Sequence, residues 1–303
     1  MLLRTKIVSC LCLTLSGLVS QVSIAEPRNC YVEGGEIICQ TTHSEPTEAE
    51  RFQALDPSKK GQVVYREQGR RNGATMGFGG TGYIDGQSTL TATITKNNKT
   101  FQRQIKMLFL EREDETDKRI IVIHKPKDTK GTALLTISNK DGLDDQWLYS
   151  PNNKQISRIP RNNSGSSFAG TDVFFEDLSL QSLSKYDFQY LRKETLMERE
   201  VHVIARFPKD PYSAYKKLIT WVDIEHFYPV KVEYFDKENT LMKTLTAGGY
   251  KQYNEKFWRA GTMLITNHQN QNKTQLVWSN YQFNIGLSEQ LFSLNGLKRA
   301  QNL

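Results

Sequence analysis

The feature that most constrains this chain is the shortness of its connections. From residue 74 onward, segments of alternating apolar and polar residues follow one another with only brief, turn-rich links between them. The pattern predicts strands at 74–84, 88–95, 101–111, 118–124, 131–138, 145–150, 154–159, 186–193, 200–207, 216–223, 229–235, 240–253, 257–268 and 273–284. Links such as Lys96–Lys99, Asn139–Gly142, Pro151–Lys154, Asp236–Asn239 and Asn270–Lys273 are too short for a crossover, so neighbouring strands must be antiparallel. No strand–helix–strand rhythm occurs, which excludes a doubly wound nucleotide-binding domain. Helices are few. Asp56 as N-cap and Pro57 at the first helical position open one that runs to about Arg71 and ends at Asn72-Gly73. Shorter helical pieces are expected near 177–184 and 288–293. The fold class is therefore mainly β, with a minor α component. So few helices cannot cover so many strands, and the sheet must fold onto itself or curl. Strand aromatics such as Trp147, Tyr149, Trp221, Tyr234, Trp258 and Trp278 either fill a core or line a hollow.

The N-terminus has a different character. Arg4 and Lys6 precede an apolar stretch, Ile7–Val19, that is too short and interrupted for a membrane span. Ser23-Ile24-Ala25 then supplies small residues where a signal peptidase cuts, so residues 1–25 read as a secretory signal cleaved near Ala25. Lipidation at Cys10 is disfavoured because no hydrophobic segment precedes that cysteine. Cys30 and Cys39 flank Gly34-Gly35, which fits a two-residue hairpin turn. Counted out from that turn, they form a non-hydrogen-bonded pair with Cα atoms roughly 4.5 Å apart, within disulfide range. An oxidising compartment would bridge them. Residues 26–50 are thus a disulfide hairpin and linker, and 51–303 the β domain. The net charge of +7 is spread along the chain, a solvated surface rather than a nucleic-acid face.

Catalytic signatures are missing. Gly77–Gly82 lacks the Gly-Lys-Ser/Thr and following helix of a phosphate loop and reads as a flexible strand or bulge. No nucleophile elbow is present, and His43, His124, His202, His226 and His268 are scattered without metal-ligand spacing. No catalytic residue, metal or cofactor is expected. The stretch Ser167–Leu178 (SFAGTDVFFEDL) sets three carboxylates, Asp172, Glu176 and Asp177, among large apolar side chains. Glu176 or Asp177 suits a helix N-terminus. Asp172 is expected to clasp Arg158 or Arg161 and pin the loop to the preceding strand.

These residues also carry a resemblance. Gly131–Leu135 (GTALL), Asp144–Pro151 (DDQWLYSP), Arg158-Ile159 and Ser167–Leu178 resemble, in order and spacing, the central signature of LolA-like outer-membrane lipoprotein-sorting proteins. Tyr215 with Trp221–Asp223, and Val232–Asp236, fit as well, and the resemblance spans roughly 55–300. Phe174-Phe175 and Ala169 depart from the pattern, and the hairpin at 30–39 lies outside it. The resemblance implies a curled, incomplete antiparallel β-barrel with a few short helices as a lid over a hydrophobic cavity. It implies binding and transport of a lipid or acylated lipoprotein through the periplasm toward the outer membrane. The alternative is an accessory subunit docked to an inner-membrane exporter of the RND type. Trp147 and Tyr149 are expected to line the hollow, with Phe168 and Phe174 or Phe175 at its rim.

Overall fold

The computed structural model describes residues 28–33, 36–41, 46–72, 85–112, 116–139, 144–179, 182–255 and 257–300, with side chains from residue 46 onward. The signal region and the predicted strand at 74–84 lie outside the described residues. The chain divides into two compact units at Arg51/Phe52. In the first, β1 (Arg28–Glu33) and β2 (Glu36–Thr41) form an antiparallel hairpin. Its register sets Cys30 opposite Cys39 and Val32 opposite Ile37, as the turn predicts. The cysteine side chains are outside the described residues.

α1 (Glu48–Ala54) is followed by α2 (Pro57–Asn72). The predicted cap is present: Lys59 N donates to Asp56 Oδ1 at 2.9 Å. The first half of the sheet is β3 (Asp85–Lys96), β4 (Lys99–Leu110), β5 (Lys118–Lys125), β6 (Ala133–Ile137), β7 (Asp145–Ser150) and β8 (Gln155–Arg158). The second half is β9 (Tyr186–Leu196), β10 (Arg199–Pro208), β11 (Lys217–Asp223), β12 (Pro229–Phe235) and β13 (Leu241–Gly248), then β16 (Thr262–Asn267) and β17 (Lys273–Phe283). Between them β14 (Lys251–Tyr253) and β15 (Phe257–Arg259) form a separate two-stranded ribbon. The single long strands expected at 240–253 and 257–268 are therefore each broken in two. The break is made by glycine: Gly249 has φ +63, and Gly261 N donates to the carbonyls of Gly248 and Gly249 at 3.1 Å. A Cβ on Gly261 would come within 2.8 Å of the Gly249 oxygen. α3 (Leu294–Arg299) ends the described chain, with Ser293 Oγ capping Gly296 N at 3.0 Å.

The thirteen strands make one antiparallel sheet in the order β8-β7-β6-β5-β4-β3-β17-β16-β13-β12-β11-β10-β9, and the sheet does not close. This is the curled, incomplete barrel that the resemblance implies. Its topology is two meanders joined at β3–β17. The chain enters in the middle, winds out to one edge at β8, and reappears at the opposite edge in β9. Residues 159–185 make that passage. The helical piece expected at 177–184 is two separate 3-10 turns, Glu176–Leu178 and Leu183–Lys185.

Both faces of the sheet are apolar over β4–β7, for a local reason. On the inner face Ile105, Met107, Ile121, Leu134 and Leu148 join a large core with Val64 and Tyr65 of α2 and residues of the second meander. On the outer face Leu108, Ile120, Val122, Leu135 and Tyr149 are covered by Phe292, Leu297 and Ala300 of the C-terminal segment. α2 lies on β9 across a bare contact. A Cβ at Gly61 would meet Phe188 Cβ at 3.0 Å and the Gln189 backbone at 3.2 Å. The Tyr65 and Phe188 rings lie 5.0 Å apart beside it.

Candidate functional site

The passage from β8 to β9 crosses the open side of the curl, and Ser167–Leu178 sits at its centre. Ala169 and Gly170 have φ of +55 and +75, which turn the chain back on itself. Phe168 N donates to Val173 O at 2.8 Å, and Thr171 Oγ1 to Phe168 O at 2.6 Å, so the turn is a self-contained knuckle.

Each of its three carboxylates grips a different part of the fold. Asp172 accepts from Thr274 Oγ1 at 2.8 Å and Asn267 Nδ2 at 3.1 Å, on β17 and β16. Glu176 accepts from Ser213 Oγ and, at 2.8 Å, from Ala214 N in the β10–β11 connection. Asp177 accepts from Tyr215 OH at 2.8 Å and from Lys243 Nζ of β13 at 2.6 Å. Lys243 also donates to Asp172 O at 2.8 Å and lies 3.9 Å from the centroid of the Phe174 ring. Lys243 is 1% exposed, so this ion pair is dry. Burial pushes the Glu176 carboxyl up to about 7, and the neighbouring Asp177 charge adds to the shift against the two hydrogen bonds it receives. Tyr215 is likewise raised well above its ordinary value by burial first, then by Asp177 and Glu176.

Two spaces flank the knuckle. On one side a cleft of about 360 Å³ opens between the two free edges of the sheet, lined by Ile159, Arg161, Glu176, Lys185, Tyr186 and Tyr212 among others. Lys185 forms an ion pair with Asp144 within it. On the other side an apolar pocket of about 20 Å³ lies between the sheet and the knuckle, walled by Leu90, Ile105, Met107, Phe168, Val173 and Leu276. The knuckle therefore plugs the seam of the incomplete barrel, with a cleft of mixed lining on one side and a small apolar pocket on the other.

The sequence-predicted residues distribute unequally. Phe168 and Phe175 are buried in the inner core with their rings 5.8 Å apart, and Phe174 stacks on Tyr215 at 6.0 Å. Trp147 and Tyr149 point the other way, into the outer cluster under the C-terminal segment. Both faces of β7 carry apolar residues, Trp147 and Tyr149 on one and Leu148 on the other, and only the partner of each face separates inner from outer. Gln146 and Leu148 take the inner side, where Gln146 Nε2 donates to Phe175 O at 3.0 Å. The expected Asp172 clasp is also re-partnered. Arg158 pairs with Asp145, Arg161 lines the seam cleft, and Asp172 is held by Thr274 and Asn267. Sequence reasoning passed over Lys243 and Thr274, and took Tyr215 only as part of the resemblance, with no role at the knuckle. A signal existed for two of them: Lys243 shares strand parity with buried Leu245, and Thr274 with Leu276 and Trp278. Among the described residues no group of three or more His, Cys, Asp or Glu could hold a metal, and no helix is long and apolar enough to cross a membrane.

A curled open antiparallel sheet whose apolar interior is stoppered by a strand-to-strand passage defines the class of incomplete β-barrels. A family model described as "-like: Uncharacterized protein" matches residues 115–299. A domain from Vibrio parahaemolyticus described as an outer membrane lipoprotein-sorting protein domain is 37% identical, with a TM-score of 0.74 over 80% of this chain and 100% of that one. A DUF1329 family protein from Desulfovibrio piger (24% identical, TM-score 0.71) and a LolA superfamily protein from Nitrosomonas europaea (16%, TM-score 0.63) share the fold over 80% of this chain and 100% of theirs. A comparison with curated proteins returns no match. The chain belongs to the LolA-like family of outer-membrane lipoprotein-sorting proteins.

Proposed function

We propose that this protein is a periplasmic carrier that takes up acyl chains, of a lipoprotein or another lipid, through the seam and shields them on the way to the outer membrane. The observation behind this reading is that the seam is closed by side-chain clasps on a self-contained knuckle, not by strand pairing. Such a stopper can swing aside without breaking the sheet. Each methylene withdrawn from water contributes about 0.8 kcal/mol, so one long chain repays a partial loss of clasps. The pocket of about 20 Å³ is too small for a chain, so cargo has to replace Phe168 and Val173. The reading includes export by the N-terminal signal and a Cys30–Cys39 bridge.

A second reading has its own support. The interior is almost filled by the protein's own side chains, which suits an accessory subunit docked to an inner-membrane exporter. Native mass spectrometry of protein recovered from the periplasm, paired with titration of a fluorescent fatty-acyl probe, separates the two. The carrier reading expects co-purifying lipid, saturable probe binding, and weaker retention in Phe168→Asp. A clean lipid-free mass together with no probe binding would leave the accessory reading standing. The same spectrum, taken without reductant, is expected to show a chain beginning at Glu26 and two hydrogens lighter than the dithiol.

A further inference from the structure

The outer face carries a second feature that the carrier reading does not use. Between the edge strand β8 and helix α3 runs a groove whose floor is Trp147, Ile156 and Leu294 and whose rim is Lys154, Arg158 and Lys298. The register explains the grouping. Trp147 pairs with Arg158 and Tyr149 with Ile156, so alternation turns all four outward together. On α3, Leu294 and Lys298 are four residues apart and share one helix face. Tyr149 disappears under the C-terminal segment, but Trp147 and Ile156 stay half-exposed and Leu294 is 44% exposed. No carboxylate lines the groove. Asp145 engages Arg158 from outside it, while neither Lys154 nor Lys298 has an ion pair among the described residues.

We propose that this groove is a membrane-docking site that seats the protein on an anionic phospholipid surface. An indole and two aliphatic side chains at the water boundary, flanked by long cationic side chains, match the depth profile of a bilayer interface. The aromatic ring sits at headgroup level, the aliphatic tips dip below it, and the lysine stems let their ammonium groups reach the phosphates. The charge is complementary: Lys154 and Lys298, with Arg158 already paired to Asp145, meet a negative surface potential. The apolar area is small, so attachment is reversible and salt-sensitive, as suits a protein that must leave the membrane again. Docking needs neither an open seam nor bound cargo, so it stands or falls separately from the carrier reading.

Flotation of the purified protein with vesicles tests it. Binding is expected to phosphatidylcholine vesicles containing about a third phosphatidylglycerol, and to be abolished at roughly 1 M salt, where the Debye length shrinks to about 3 Å. Pure phosphatidylcholine should bind little. K154E/K298E should weaken binding by about tenfold or more, with the circular dichroism unchanged. The control pair K96E/K99E, on the exposed β3–β4 turn, should leave binding intact. Difference emission between wild type and Trp147→Phe should shift to the blue on vesicles. Equal loss in the control pair would make the attraction diffuse charge and overturn the assignment. So would indifference to K154E/K298E, or capture of an acidic peptide at the groove without vesicle binding.

Discussion

Lys243 decides how tightly the knuckle is held. Its ammonium is the counter-charge of a buried carboxylate and the cap of a carbonyl, inside a cage of Phe174, Tyr215 and Tyr234. Removing it leaves Asp177 dry and unpaired, so Lys243→Met should cost about 3–5 kcal/mol in urea unfolding. Asp177→Asn in the same background should recover part of that loss; strictly additive effects would mean the pair is not coupled. Glu176 gives a pH signature. Its folded pKa, about 7, lies above its ordinary value of 4.5, so the stability it confers is complete below pH 4.5 and is lost as pH rises through 7. His202 opposes it. Packed among Phe52, Tyr190 and Phe227, it is held by burial at about 4, so its contribution is complete above 6.5 and is lost as pH falls through 4. Glu176→Gln should therefore unmask a stability that climbs from pH 5 to 7 relative to wild type, measured by thermal melts across that range. At this scale the sequence singled out the three acids but misassigned their grips. Arg158 and Arg161 were near Asp172 along the chain, whereas the true partners arrive from β16 and β17, about a hundred residues away.

At the scale of elements, legibility followed locality. Alternation and turn residues located nearly every described strand, and Asp56-Pro57 marked the start of α2 to the residue. The failures have one cause each. Glycine backbone freedom at Gly249 and Gly261 bent the chain out of the sheet where side-chain periodicity carried on. Trp147 and Tyr149 could be assigned to a shared face but not to the inner one, because β7 is covered on both sides. The seating of α2 on β9 yields a prediction. Gly61 permits backbone contact with Phe188 and Gln189, so Gly61→Leu should lift the helix and strip cover from Tyr65 and Tyr186. A loss of about 2–4 kcal/mol is expected from overpacking and lost burial, together with faster hydrogen exchange in 57–72. An unchanged melting temperature would refute the close contact.

At the scale of the whole sheet, sequence showed a long antiparallel array but not its order, since strand alternation carries no information about which distant strand is the neighbour. Two meanders could have been laid in several ways. The observed one places β3 beside β17, the first strand of the sheet against the last. That pairing sets a timetable. A chain made or threaded from its N-terminus can assemble β3 to β8 early, but β3 keeps a bare, hydrogen-bond-hungry flank until residues 273–283 emerge. Pulse-labelling hydrogen exchange during refolding should find the amides of the β3–β17 pairing protected last, after the pairings within each meander, and simultaneous protection throughout would contradict this order. In the interval the nascent protein carries an open template for strand addition, which makes the final few dozen residues the latch against aggregation and gives any holding chaperone a defined window in which to act.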